Sequence, residues 1–116
     1  MKRQLAEKSG RQGEMRAALW LRAKGWQVLD RRVRTGAGEI DLVVKRGGVV
    51  AFVEVKWRRR RADLDHAIDE HRLSRVAAAA EAVAHLYATK GEDIRIDVIL
   101  LAPGSFPRHI ANAWQP

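Results

Sequence analysis

The stretch Gly38-Glu39-Ile40-Asp41-Leu42-Val43-Val44-Lys45-Arg46-Gly47-Gly48-Val49-Val50-Ala51-Phe52-Val53-Glu54-Val55-Lys56-Trp57 holds two apolar runs joined by a pair of glycines. Two acids and a lysine stand inside those runs. Gly47-Gly48 is a two-residue hairpin signal, because such turns need positive φ and glycine adopts it without a Cβ clash. The register then follows by counting. If Arg46 faces Val49, then Lys45 faces Val50, Val44 faces Ala51, and the ladder runs down to Asp41 facing Glu54. Side chains alternate along a strand, so Glu54 and Lys56 share one face while Val53, Val55 and Trp57 take the other.

Directly opposed side chains have Cβ atoms about 5 Å apart, and like charges so placed destabilise a sheet unless something compensates. A divalent cation would do so. Two close carboxylates suit a hard ion such as Mg²⁺ (or Mn²⁺), which takes oxygen ligands and keeps waters in its shell. Lys56 on the same face can orient or help deprotonate an attacking water, or hold charge developing on a phosphate oxygen. The pattern reads as phosphodiester hydrolysis. The plainer alternative is a solvated salt-bridge cluster on an exposed sheet face. Val43, Val50 and Phe52 share that face, which makes it at least half apolar.

The chain has 116 residues, which fits one domain, 1–116, with a real core. It contains no cysteine, so disulfides and thiolate zinc sites are excluded. No apolar run approaches a membrane span of about 20 residues, and Met1-Lys2-Arg3-Gln4 leads into no signal-type segment, so a cytoplasmic protein without a membrane partner is expected. The net charge of +8 points to a polyanion, with nucleic acid the default partner. Arg31, Arg32 and Arg34 precede the acidic motif, and Arg58, Arg59, Arg60 and Arg61 follow Lys56. These seven are candidate backbone contacts, since arginine and lysine dominate non-specific affinity. Their alternative is a solvated surface.

Outward from the hairpin, residues from about Gln4 to Lys24 read as a helix whose apolar stripe includes Met15, Ala18, Leu19 and Leu21 to Ala23. Glu14 lies on that stripe and is directed inward, as a third metal ligand or an acid behind the ligands; the alternative is a helix-surface acid paired with Arg11 or Arg22. Trp26 to Arg34, Glu39 to Lys45 and Val49 to Trp57 read as strands. Leu64 to Thr89 reads as an alanine-rich helix, with Leu64, Ile68, Val76, Ala79, Ala80, Val83, Leu86 and Tyr87 at helical spacing. Ile94 to Leu101 is a further strand, and His109 to Trp114 a short edge strand. A long helix between strands implies a parallel crossover, hence a mixed sheet with helices against it. The four histidines, His66, His71, His85 and His109, lack zinc-type spacing and read as surface or satisfied groups. Trp20 and Trp26 read as anchors, and Trp57 as packing, with base stacking its alternative. The alanine-rich helix offers a surface for a homodimer.

A glutamate on the first helix within Gly10-Arg11-Gln12-Gly13-Glu14, then Gly38-Glu39-Ile40-Asp41, then Phe52-Val53-Glu54-Val55-Lys56, then a helix and Arg95-Ile96-Asp97-Val98, together resemble the YraN family of predicted endonucleases. That family is similar to the PD-(D/E)XK nuclease superfamily, which includes restriction endonucleases and archaeal Holliday junction resolvases. The resemblance spans almost the whole chain. It implies an α/β, restriction-endonuclease-like fold: a mixed β-sheet of four to five strands flanked by helices, in the order α-β-β-β-α-β. It also implies Mg²⁺-dependent endonucleolytic cleavage of DNA, on branched or damaged structures, with Asp41, Glu54, Lys56 and Glu14 catalytic and the Val55 carbonyl joining Asp41, Glu54 and Glu14 at the metal. Ile40 stands where the superfamily name has proline. The competing function is a non-catalytic nucleic-acid-binding or adaptor module that keeps the nuclease fold.

Overall fold

The structure, a computed structural model, describes residues 2–60 and 69–114, with side chains from residue 11 onward. Seven elements follow one another: α1 (Lys2–Ala23), β1 (Gln27–Arg34), β2 (Glu39–Arg46), β3 (Val49–Trp57), α2 (Glu70–Tyr87), β4 (Asp93–Leu101) and β5 (Arg108–Ile110). The expected order is met, with β5 as the short final strand. Arg61 and the start expected for the second helix at Leu64 lie outside the described residues. Among the described residues no helix is long and apolar enough to cross a membrane.

Five strands form one sheet in sequence order, β1 to β5. Each of the first two pairs is antiparallel, β4 runs parallel to β3, and β5 runs antiparallel to β4. The glycine hairpin is built as its chemistry requires: Gly47 has φ of +57°, and Arg46 faces Val49. The parallel pair is possible because α2 carries the chain back across the sheet.

Helices cover both faces. On one, α2 presents Leu73, Val76, Ala79, Ala80 and Ala84 to Ile40, Val43, Val50, Phe52, Val98 and Leu100. On the other, α1 presents Ala17, Ala18 and Leu21 to Leu42, Val44, Ala51, Val53 and Ile99. The expected stripe on α1 is corrected here. Ala18 and Leu21 face the sheet as expected, but Met15 and Leu19 are exposed, at 55% and 58%, Arg22 and Ala23 are exposed too, and Ala17 faces inward. Small side chains let the helix axis approach the sheet, whereas large ones at those positions would hold it away. Leu86 is likewise exposed, and Leu73 takes an inward place instead.

Both helix ends near the sheet are locked. α1 ends in a Schellman arrangement: Trp26 N–H donates to the Leu21 carbonyl at 3.0 Å, Gly25 N–H to that of Arg22 at 3.0 Å, and Gly25 has φ of +92°. Leu21 and Trp26 then pack in the same cluster. α2 starts at Asp69, whose carboxylate accepts the His71 N–H at 2.9 Å. A Cβ on Gly38 would lie 2.8 Å from the Arg75 carbonyl oxygen, so α2 rests directly on the backbone of the β1–β2 connection. That close approach fixes where the first turns of α2 stand over the ends of β2 and β3.

Candidate functional site

The counted register holds from Arg46–Val49 to Leu42–Val53, and there the ladder stops. The expected next rung, Asp41 opposite Glu54, is not formed as a backbone pair. Instead the Asp41 carboxylate fills the gap, its Oδ2 accepting the Val55 N–H at 2.7 Å. Ile40 and Val43 belong to one core cluster although they are three residues apart, so the alternation breaks between them at this point. A residue's N–H and C=O project to the same side of a strand, so the Val55 carbonyl also faces the opening.

The neighbouring strand is irregular at the same level. Arg31 faces Leu42 and Val33 faces Ile40, which leaves Arg32 level with Asp41. Arg32 has φ of +51°, a left-handed conformation that costs a non-glycine residue about 1–3 kcal/mol. Its guanidinium turns to α1, where Nε donates to Glu14 Oε2 at 2.7 Å. Glu14 therefore points inward as expected, but its partner is Arg32 and neither Arg11 nor Arg22.

Glu54 and Lys56 are buried on the α2 side, with Lys56 Nζ 3.0 Å from Glu54 Oε1. An open cleft of about 820 Å³ collects these groups. Glu14, Asp41, Glu54, Val55, Lys56 and Arg58 all line it, together with Glu39 and Trp57. Arg58 continues the β3 pairing through its N–H to the Leu101 carbonyl, and its Nη1 donates to the Trp57 carbonyl at 2.8 Å. The other arginines named from sequence stand apart. Arg31, Arg34, Arg59 and Arg60 are exposed and do not line the cleft, and Arg34 lies 3.9 Å from Glu39.

Two cleft residues escaped the sequence reading. Arg72 and Arg75 of α2 overhang the acids, and neither side chain has a hydrogen-bond or ion-pair partner among the described residues. Their three-residue spacing, which puts both on one helix face, was the available signal.

The electrostatics single out one acid. Glu54 pairs with Lys56, Glu14 with Arg32 and Glu39 with the more distant Arg34, whereas Asp41 makes no ion pair of its own among the described residues, although the Arg32 charge lies near enough to be felt. Burial pushes its carboxyl up to about 6, the charges of Glu14, Glu54 and Glu39 push the same way, and the Val55 N–H opposes them. The Arg32 guanidinium is raised, chiefly by its bond to Glu14. Among the described residues no three histidine, aspartate or glutamate side chains meet closely enough to hold a metal together. The donors on offer are two carboxylates and a backbone carbonyl, all hard oxygens, with Glu14 engaged by Arg32.

Residues 13–101 match the model of the uncharacterised protein family UPF0102. The chain is 80% identical to a UPF0102 protein of Erythrobacter litoralis over 116 residues, the whole of both chains. It is 58% identical to one of Sphingopyxis alaskensis, again over all of both. With one of Rhizorhabdus wittichii it shares 51% over 113 residues, covering 97% of this chain and 96% of the relative. On this evidence of sequence and extent, the chain belongs to the uncharacterised protein family UPF0102, the YraN family that its motifs resemble.

Proposed function

We propose that the cleft is a divalent-cation-dependent phosphodiesterase site acting on DNA, and that the protein is an endonuclease. The observation that carries this reading is Asp41: a half-buried carboxylate amid three other acids, each of which is in an ion pair while Asp41 is in none among the described residues. Crowding of that kind favours a guest cation, and the oxygen donors of Asp41, Glu54 and the Val55 carbonyl suit Mg²⁺ or Mn²⁺. Asp41, Glu54 and the Val55 carbonyl would hold such an ion, which would supply Lewis-acid stabilisation of charge on a phosphate oxygen.

The chain's own groups then divide the work. Lys56, fixed by Glu54 at 3.0 Å, presents an ammonium in a largely dry wall, where its field on a phosphate oxygen is strong. Glu14 holds Arg32 level with Asp41 and keeps a second cation beside the acids. Arg58, Arg72 and Arg75 line the cleft where a sugar-phosphate backbone would run.

The test is cleavage of linear, nicked, flapped and four-way DNA with Mg²⁺ or Mn²⁺. Asp41→Ala is expected to reduce cleavage on the order of a hundredfold or more while leaving DNA affinity largely intact. Unchanged cleavage by that variant overturns the proposal. A second reading, a binding module without turnover, draws support from the internal pairing of Glu54 with Lys56 and Glu14 with Arg32. The same assay separates the two, because cleavage above a Glu54→Ala control excludes a module without turnover.

A further inference from the structure

A smaller hollow of about 160 Å³ adjoins the cleft, between Arg16 of α1, Trp57 at the end of β3 and Pro103 just after β4. Gly13 and Trp57 line both spaces, so the two are neighbours. Sites for drug-sized ligands run to about 300–1,000 Å³, so this hollow admits little more than one planar ring. Its walls suit such a ring. Trp57 supplies an aromatic surface, Pro103 an apolar one, and Arg16 a guanidinium that is exposed and without an ion-pair partner among the described residues.

Three residues beyond Pro103 stands Phe106, 93% exposed. A single exposed apolar side chain carries no meaning by itself. This one differs in its setting. It sits between two prolines, Pro103 and Pro107, which limit φ, in a loop closed by the Ser105 N–H to the Ala102 carbonyl at 3.2 Å and by Gly104 at φ of +70°. The loop leaves the same end of the sheet as Arg58, because β3 and β4 are parallel and Trp57 pairs with Leu101. A stiff loop therefore holds a bare phenyl ring in water, at the cationic end of a chain of net charge +8.

We propose that the Trp57–Arg16–Pro103 hollow and the Phe106 loop form a nucleobase-stacking subsite beside the cleft, so that the preferred ligand carries unpaired bases next to the phosphate in the cleft. The proposal rests on the nucleic-acid reading of the cleft and narrows it: flapped or gapped DNA is favoured over a continuous duplex. Base–aromatic stacking supplies the recognition and is tolerant of base identity.

Binding is measured in EDTA, so that turnover plays no part, using a continuous duplex and the same duplex carrying a single-stranded flap with 2-aminopurine at the junction. The wild-type protein is expected to prefer the flap and to quench the 2-aminopurine. Phe106→Ala is expected to lose about five- to hundredfold in affinity for the flap, with duplex binding unchanged, while Phe106→Tyr retains it. Phe106 is almost wholly exposed, so its truncation spares the core. Equal flap affinity of wild type and Phe106→Ala overturns the subsite alone, leaving the cleft reading intact. Failure of the wild type to bind either DNA at low salt overturns both.

Discussion

Asp41 and Asp97 are two aspartates set into strands of one sheet, and they are opposites. Asp97 is fully buried and saturated with donors. Arg95 approaches with both Nε and Nη2 at 2.9 and 2.8 Å, His109 Nε2 lies at 2.7 Å, and the Asn112 N–H donates at 2.9 Å. Burial alone would raise its carboxyl, but these hydrogen bonds, from His109 first, bring it down to about 2. Asp41 accepts one N–H and stands at about 6. A buried acid that the fold has supplied with partners is a structural post, here tying β5 and the following turn to β4. An acid placed beside other acids and left short of partners has not been satisfied by folding.

The sharpest way to break this contrast is to make the same change twice. Asp97→Asn leaves Arg95 and His109 facing a neutral amide, and is expected to destabilise the protein by about 3–5 kcal/mol, as loss of one partner from a buried pair does. Chemical denaturation reads this directly. A loss below about 1 kcal/mol would mean that the Asp97 cluster is not a post.

Asp41→Asn has the reverse sign. The Asp41 carboxyl is raised from 3.8 to about 6, so its contribution to stability is fully present below pH 3.8 and is lost as the pH rises through 6. At pH 7.5 without divalent metal, the amide should therefore stabilise the protein by about 1–3 kcal/mol. At pH 4 the two proteins should be nearly alike. Asp97 behaves oppositely: its contribution is present above pH 3.8 and is lost as the pH falls through about 2. Thermal unfolding of the variant and wild type at both pH values checks the sign, and destabilisation by Asp41→Asn at pH 7.5 would show that the fold needs this charge. Magnesium should raise the melting temperature of the wild type more than that of the variant.

Much of this contrast was legible in the residue order, and the part that was not has a physical reason. Alternation and Gly47-Gly48 determined the hairpin to the residue, because a two-residue turn leaves one register. Glu54, Lys56 and Asp41 stood out because charges inside apolar strands need partners. Hidden from the sequence were the places where the sheet departs from regularity: the ladder ending at Leu42–Val53 and the left-handed backbone of Arg32. Nothing local to arginine predicts that conformation, which accompanies the pairing of Arg32 on β1 with Glu14 on α1. Arg72 and Arg75 were hidden for a related reason, since their place over the acids depends on α2 resting on Gly38. On α1 the reading failed at Met15 and Leu19, where size was taken for burial, while Ala17, outside the expected stripe, faces the sheet.

The smallest effect concerns the arginines of the two regions. Arg95 is held by both oxygens of Asp97 and also lies 5.5 Å from the Trp26 ring, so its charge is spent inside the fold. Arg75 is exposed at the cleft and pairs with nothing among the described residues. Its side chain thus contributes little to folding, and Arg75→Ala should alter stability by no more than about 0.5 kcal/mol. On the proposed reading its charge acts when a phosphate arrives. Each phosphate contact releases condensed counterions, so the slope of log affinity against log salt should become shallower by about 1 in this variant. Arg95→Ala should do the reverse, lowering stability while leaving the salt slope alone. An unchanged slope for Arg75→Ala would remove Arg75 from the nucleic-acid surface and leave Arg58 and Arg72 as the basic groups of the cleft.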